Sequence, residues 1–102
     1  MANVYDRMKE MGIVLPPAPE KGGVYTPVLQ FGENLYYCSG CGPQSAEGTI
    51  TGKLGKDLTV EQGQLAAYRC MLNLLANLEK KLGDLNKIKR FVKVLEIGRA
   101  HV

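Results

Sequence analysis

A chain of 102 residues, 45% of them hydrophobic, suits one domain with one core. The net charge of +3 is only mildly basic, so it neither demands nor excludes a nucleic-acid partner. No apolar run approaches the roughly 20 residues that cross a bilayer, and the N-terminus lacks the apolar stretch of a secretory signal. Three cysteines, an odd number without a disulfide framework, indicate a reducing compartment, and we expect a cytoplasmic protein.

The first predicted element is a short helix, followed by a proline-rich spacer. Asn3 can cap this helix and Gly12 can end it. Its apolar stripe consists of Val4, Tyr5, Met8 and Met11. Three prolines within 16–19 then favour an extended segment that leads to the first strand. We expect residues 1–24 to form this helix and its lead-in.

Two runs rich in aromatic and β-branched residues, 25–31 and 35–39, predict an antiparallel hairpin. Between them stands Gly-Glu-Asn at 32–34, and both glycine and asparagine readily take the left-handed conformation that a short hairpin loop needs. A strand that ends in Ser39 and Gly40 puts a small hydroxyl and an open backbone at the edge of a sheet. A ligand can approach at such a point.

A long helix gives the strongest signal in the chain. Thr59 and Gln62 have the spacing of a capping box, apolar residues recur behind them at helical spacing, and Gly83 follows as the C-terminal stop. Short strands are expected on either side, at 49–51 and at the basic segment 87–95. This order predicts an α+β fold with helices packed on one face of a sheet.

The last seven residues, EIGRAHV, do not continue this pattern. Reverse-translated, they resemble read-through into a common sequencing-library adapter, so we expect the native sequence to end near Leu95 and residues 96–102 to be a non-native tail. The alternative is a genuine polar C-terminus. His101, the only histidine, lies in this tail, so a mechanism that needs a histidine base has no candidate.

Taken together, these residues resemble the RidA family, also called YjgF or endoribonuclease L-PSP proteins. The matching segments are Gly23-Val24-Tyr25, Cys38-Ser39-Gly40 with Pro43, Gly52-Lys53-Leu54-Gly55, 66–78, Gly83-Asp84-Leu85 and 88–94. The resemblance covers roughly residues 12–95. It implies a chorismate-mutase-like (YjgF-type) sheet with helices on one face, a partial RidA-like domain over residues 1–95 that lacks the family's last third.

The resemblance also implies an activity. Family members of the 2-iminobutanoate/2-iminopropanoate deaminase type are hydrolases of reactive enamines and imines such as 2-aminoacrylate, work without cofactor or metal, and form homotrimers with clefts between subunits. Matched residue by residue, Tyr25, Ser39 and Gly40 are expected to bind a small carboxylate-bearing enamine or imine. The arginine that grips the carboxylate and the glutamate that positions water belong to the family's last third. We therefore assign no catalytic residue and expect the 102-residue chain to be inactive.

The sequence is also compatible with other functions. The chain could be a non-catalytic small-molecule-binding or chaperone-like module of the same fold, and Cys41, where many members carry glutamine, leaves substrate preference undecided. An RNA-binding or ribonuclease role is disfavoured, because the basic residues at 80–93 lack interleaved aromatics and a histidine pair, and a solvated face is favoured instead. Cys38 and Cys41 have CxxC spacing, but no second pair and no helix at the motif support a metal or redox site.

Overall fold

In the computed structural model, the described residues are 3–18, 26–43, 45, 52–53, 55–56, 58–95 and 99–100. Their helices are α1 (Val4–Glu10) and α2 (Val60–Leu82), with a 3-10 turn at Leu85–Lys87. Their strands are β1 (Val28–Phe31), β2 (Leu35–Cys38), β3 (Gly52–Lys53) and β4 (Arg99–Ala100). β1 pairs with β2 and β3 with β4, each antiparallel. The predicted α+β class is confirmed, and the strand expected at 49–51 lies outside the described residues.

The hairpin forms where the sequence predicted it, in a register that runs from Val28 opposite Cys38 to Phe31 opposite Leu35. Gly32 opens the three-residue turn with a φ of 71°. Among the described residues only glycines have positive φ, so Gly32, and not Asn34, supplies the left-handed conformation of this turn.

The helix α2 begins and ends as predicted. The Thr59 hydroxyl accepts a hydrogen bond from the Gln62 N–H at 3.2 Å, and the Gln62 side chain accepts one from the Thr59 N–H at 2.8 Å. Gly83 ends the helix in the left-handed conformation, with a φ of 83°, and its N–H donates to the Glu79 carbonyl at 2.7 Å. No helix among the described residues is both long and apolar enough to span a membrane.

The core lies where β1, α2 and the 3-10 turn meet, around the buried side chains of Val28, Leu78 and Leu85. Partly buried side chains of both helices, of the segments beside them and of β2 pack against this cluster: Val4, Tyr5, Met8, Leu15, Cys38, Leu74, Leu75, Leu82 and Ile88. Hydrogen bonds hold α1 in place. The Tyr5 hydroxyl donates to Glu79 Oε2 at 2.9 Å and accepts from the Leu85 N–H at 3.0 Å. Met11 is 61% exposed, so its predicted place on the buried stripe of α1 is wrong.

The strand predicted at 87–95 is also wrong. Lys87 is the last residue of the 3-10 turn Leu85–Lys87, and residues 88–95 form no strand. A strand requires a neighbouring backbone for its ladder hydrogen bonds, and no described strand pairs with this segment. Its large apolar side chains are consequently exposed: Phe91, Val92, Val94 and Leu95. Beyond it, two residues of the tail pair with β3, and the non-native origin of 96–102 stays a prediction.

Candidate functional site

The candidate site is the end of β2 and the loop that follows it, residues 39–43, which we call the Ser39 loop. Of the three residues expected to bind a ligand, Ser39 and Gly40 lie next to each other in this loop. Ser39 is half-buried and Gly40 is exposed, so neither is sealed in the interior. Tyr25, the third, lies outside the described residues.

Ser39 closes the open end of the hairpin. Its N–H donates to the Pro27 carbonyl at 2.9 Å, and its hydroxyl donates to the Thr26 carbonyl at 2.9 Å. The hydroxyl proton is therefore engaged within the hairpin, while the oxygen keeps lone pairs that can accept a hydrogen bond. Ser39 thus fixes the loop against the start of β1 and can offer a ligand an acceptor.

Gly40 leaves the backbone open to approach. A Cβ built on Gly40 would meet no atom of the described residues within 4 Å, and its φ is not positive. Neither crowding by the described residues nor backbone conformation therefore demands glycine at this position. Close approach of a ligand to the backbone is a remaining physical reason for a glycine here.

We expect Gly40→Ala to leave the free energy of unfolding within about 0.5 kcal/mol of the parent value, because the added methyl group meets none of the residues that the structure describes. Gly83→Ala is the matched control. Its φ of 83° should make the same substitution cost roughly 1–2 kcal/mol. Urea unfolding of the two variants measures both values, and a large loss for Gly40→Ala would show that the loop itself requires the glycine.

Two buried asparagines of α2 anchor the Ser39 loop. Asn73, 3% exposed, donates from Nδ2 to the Gly42 carbonyl at 2.9 Å. Asn77, 8% exposed, donates from Nδ2 to Cys41 Sγ at 3.4 Å. Sequence reasoning missed both residues. Their spacing of four, beside the apolar positions of Leu74 and Leu78, places them on the buried face of the helix and was the available signal.

The pKa values of two thiols, Cys38 at the end of β2 and Cys41 in the Ser39 loop, are shifted in the same direction. Partial burial raises the pKa of Cys38, and the nearby Cys41 thiolate raises it further. Partial burial also raises the pKa of Cys41, although the hydrogen bond from Asn77 opposes this shift. Both side chains are therefore protonated at neutral pH, and in the described part of the chain no third metal-ligating side chain joins them in a cluster.

These shifts set the direction of a pH effect. A thiol with a higher pKa in the folded chain stabilises the fold below its ordinary pKa, and this stabilisation is lost as the pH rises through the folded value. We expect the free energy of unfolding to decline above about pH 8.5, and to decline less in the variant Cys38→Ala/Cys41→Ala. Denaturant unfolding at a series of pH values tests this, and equal slopes for the two proteins would contradict it.

Two solved structures resemble this chain in fold and in sequence. A solved structure of a candidate endoribonuclease from Shewanella oneidensis superposes with a TM-score of 0.79 at 30% sequence identity, over 87% of this chain and 59% of that chain. The resemblance to the RidA family is confirmed. The RidA-like fold also matches a protein of unknown function from Agrobacterium tumefaciens, with a TM-score of 0.66 and 38% identity over 83% of this chain and 50% of that one.

A curated relative, protein TCP17 of Trypanosoma cruzi, is 34% identical over 87 residues. The match covers 85% of this chain and 54% of that protein, so the chain spans about half the length of the curated relative that it matches. No family model matches the chain. The likeness to the two solved structures supports a RidA-like fold, to which this chain contributes the hairpin, α2 and the Ser39 loop between them.

Other polar groups lie on elements outside the Ser39 loop. Arg69 and Glu61 belong to α2, and Arg90 is exposed within 88–95. The remaining basic residues of the C-terminal region are exposed as well: Lys80, Lys81, Lys87, Lys89 and Lys93.

An open groove lies between residues 16–18 and the last turns of α2, and its lining does not include Ser39 or Gly40.

Proposed function

We propose that this chain forms part of the ligand cleft of a cytoplasmic RidA-type enamine/imine deaminase. The longer protein would hydrolyse reactive intermediates such as 2-aminoacrylate and assemble as a homotrimer. The observation that carries this proposal is the open backbone at Gly40 beside the Ser39 oxygen, at the end of β2 in a RidA-like fold. A small ligand can approach the loop there without displacing a side chain of the described residues.

The hydrogen bond of the Ser39 hydroxyl determines which role Ser39 can have in the reaction. 2-Aminoacrylate, as its imine tautomer 2-iminopropanoate, takes up one water at the C=N carbon and yields pyruvate and ammonia. The Ser39 hydroxyl already donates to Thr26, so its role is to accept a hydrogen bond from the substrate nitrogen and hold its orientation. Ser39 is thus a binding and positioning group in this proposal.

The loop supplies no cation for the substrate carboxylate. Its sequence, Ser-Gly-Cys-Gly-Pro, contains no charged residue. A bidentate arginine is the usual partner of a carboxylate in a binding site, and the RidA resemblance places that arginine in the family's last third. The 102-residue chain therefore keeps the floor of the cleft, and we propose that it does not turn substrate over by itself.

Pyruvate release from freshly generated 2-aminoacrylate tests the proposal. We expect the 102-residue chain to give the uncatalysed rate, and the protein encoded by the longer parent reading frame to accelerate release. Ser39→Ala in the longer protein should lower kcat/KM, whereas the control Asn34→Ala, in the exposed hairpin turn, should leave it unchanged. A longer protein that binds 2-oxobutanoate without accelerating release would favour the non-catalytic binding module of the same fold.

The second alternative is an RNA-binding or ribonuclease protein, and two observations bear on it. The Shewanella protein is described as a candidate endoribonuclease, and the basic residues of 80–93 are exposed. Binding through phosphates predicts an affinity for single-stranded RNA that falls steeply with salt and falls in the variant Lys89→Gln/Arg90→Gln. Weak, salt-independent binding would exclude this class.

The homotrimer has its own support in the hairpin. Leu29, Phe31, Leu35 and Tyr37 are each at least 47% exposed, which is a large apolar surface for one short hairpin. Subunit contact would remove this surface from water. Sedimentation equilibrium of the longer protein should give a trimer, and Tyr37→Lys should weaken it if the hairpin lies in the interface.

A further inference from the structure

We propose that residues 80–95 form a surface that lies on an anionic lipid bilayer. This inference goes beyond the proposed deaminase function and does not depend on it. The surface consists of the last turn of α2, the 3-10 turn and the segment 88–95, and we call it the basic surface. Crossing a bilayer takes roughly 20 apolar residues, whereas lying on one takes only exposed cations and apolar side chains.

The positive charge of the chain is concentrated in this surface. Residues 79–93 contain six basic and two acidic side chains, a net charge of +4, so the rest of the chain carries −1. Both acidic groups are engaged locally. Glu79 Oε2 accepts a hydrogen bond from the Tyr5 hydroxyl at 2.9 Å. Asp84 Oδ1 accepts one from the Asn86 N–H at 2.9 Å. None of the six cations forms an ion pair with a carboxylate of the described residues, so their charge is available to an anionic partner.

A hydrogen bond brings the basic residues of the helix and of the following segment together. Lys87 donates from Nζ to the carbonyl of Leu82, the last residue of α2, at 3.0 Å. Lys80 and Lys81 lie in that same last turn, so the Lys87 ammonium lies at their end of the helix. The chain after Lys87 extends the surface with three more exposed cations: Lys89, Arg90 and Lys93.

Apolar side chains are interspersed among these cations. They occupy four of the five positions in 91–95, with Lys93 among them. Their exposed fractions run from 51% to 79%: Phe91, Val92, Val94 and Leu95. Water hydrates the cations well but these side chains poorly, so a partner that is both anionic and apolar would stabilise this surface most.

An anionic bilayer has both properties. Its headgroups attract lysine and arginine side chains, and the acyl boundary beneath them takes up aromatic and aliphatic ones. RNA would use the cations and could stack on Phe91, but it offers Val92 and Leu95 no partner. A second copy of the basic surface would bring the same positive charge and be repelled. The combination of charge and apolar exposure therefore favours lipid.

Co-sedimentation of the 102-residue chain with lipid vesicles tests the proposal. We expect binding to mixed vesicles of phosphatidylcholine with about 30% phosphatidylserine, and roughly tenfold weaker binding, or none, to phosphatidylcholine alone. Added salt should weaken the binding to the mixed vesicles, because it screens the attraction. No binding to the mixed vesicles, or equal binding to both kinds, would overturn the proposal, and this comparison needs no variant to fold.

Matched variants separate the charge from the apolar contact. Lys89→Gln/Arg90→Gln should weaken binding to the mixed vesicles roughly tenfold or more. Lys9→Gln/Lys56→Gln removes the same charge from exposed positions elsewhere and should leave the binding nearly unchanged. Val92→Ser/Leu95→Ser should weaken it severalfold at unchanged stability, because both side chains are exposed.

Three outcomes of these variants and competitors would overturn the proposal. The first is an equal loss of binding in the two charge variants, and the second is unchanged binding of the Val92/Leu95 variant. The third is tighter binding of single-stranded RNA or polyglutamate than of the mixed vesicles, compared at equal concentrations of negative charge. That result would assign the basic surface to a nucleic acid or to an acidic protein.

Discussion

Leu85→Ala is expected to destabilise the fold by about 2–5 kcal/mol, the largest effect of any single truncation that we predict. Leu85 is 1% exposed and packs with Val28 of β1 and Leu78 of α2. Its loss would leave a cavity where the hairpin, α2 and the 3-10 turn pack together. Urea unfolding followed by circular dichroism measures the effect.

Leu95→Ala is the matched control for this prediction. Leu95 is 79% exposed, so the same truncation should change the free energy of unfolding by no more than about 0.5 kcal/mol. Because small domains are stable by only about 5–15 kcal/mol, the Leu85 variant should show a clearly lowered midpoint or no folded baseline. Equal midpoints for the two variants would show that the core does not centre on Leu85.

Asn73→Ala is expected to cost about 1–3 kcal/mol, since it leaves the Gly42 carbonyl without its amide partner. Asn73 is 3% exposed and its Nδ2 donates to that carbonyl at 2.9 Å. The same loss should release the Ser39 loop from α2. Iodoacetamide should then alkylate Cys41 faster in the variant than in the parent chain.

Asn34→Ala serves as the control for the asparagine change, because Asn34 is exposed in the hairpin turn. It should leave both stability and the alkylation rate of Cys41 close to the parent values. A destabilised Asn73 variant in which Cys41 reacts no faster would mean that the hydrogen bond supports the core without holding the loop.

The sequence predicted the elements whose signals are local. The caps at Asn3 and Thr59, the stop at Gly83 and the turn glycine at Gly32 each act within a few residues, and all four have their predicted roles. The strand expected at 87–95 depended instead on a neighbour distant in the chain. Its alternating apolar and basic residues therefore carried no information on whether such a neighbour is in place.

The candidate site was predictable only in part, for a related reason. Ser39 and Gly40 stand at the end of a strand that a local pattern marks, and they lie at the end of β2 as expected. Asn73 and Asn77 reach the loop across more than thirty residues of chain, which only the packing of α2 against the hairpin reveals. Whether Tyr25 joins them stays a prediction.

An NMR titration with 2-oxobutanoate, the stable keto analogue of an imine substrate, tests the central claim most directly. Performed on the isotope-labelled protein of the longer parent reading frame, it should shift the amide signals of Ser39 and Gly40 in a saturable manner, and Gly40→Ala should weaken the binding. Saturable shifts confined to other parts of the protein, with both of these amides unmoved, would contradict a ligand cleft at the end of β2.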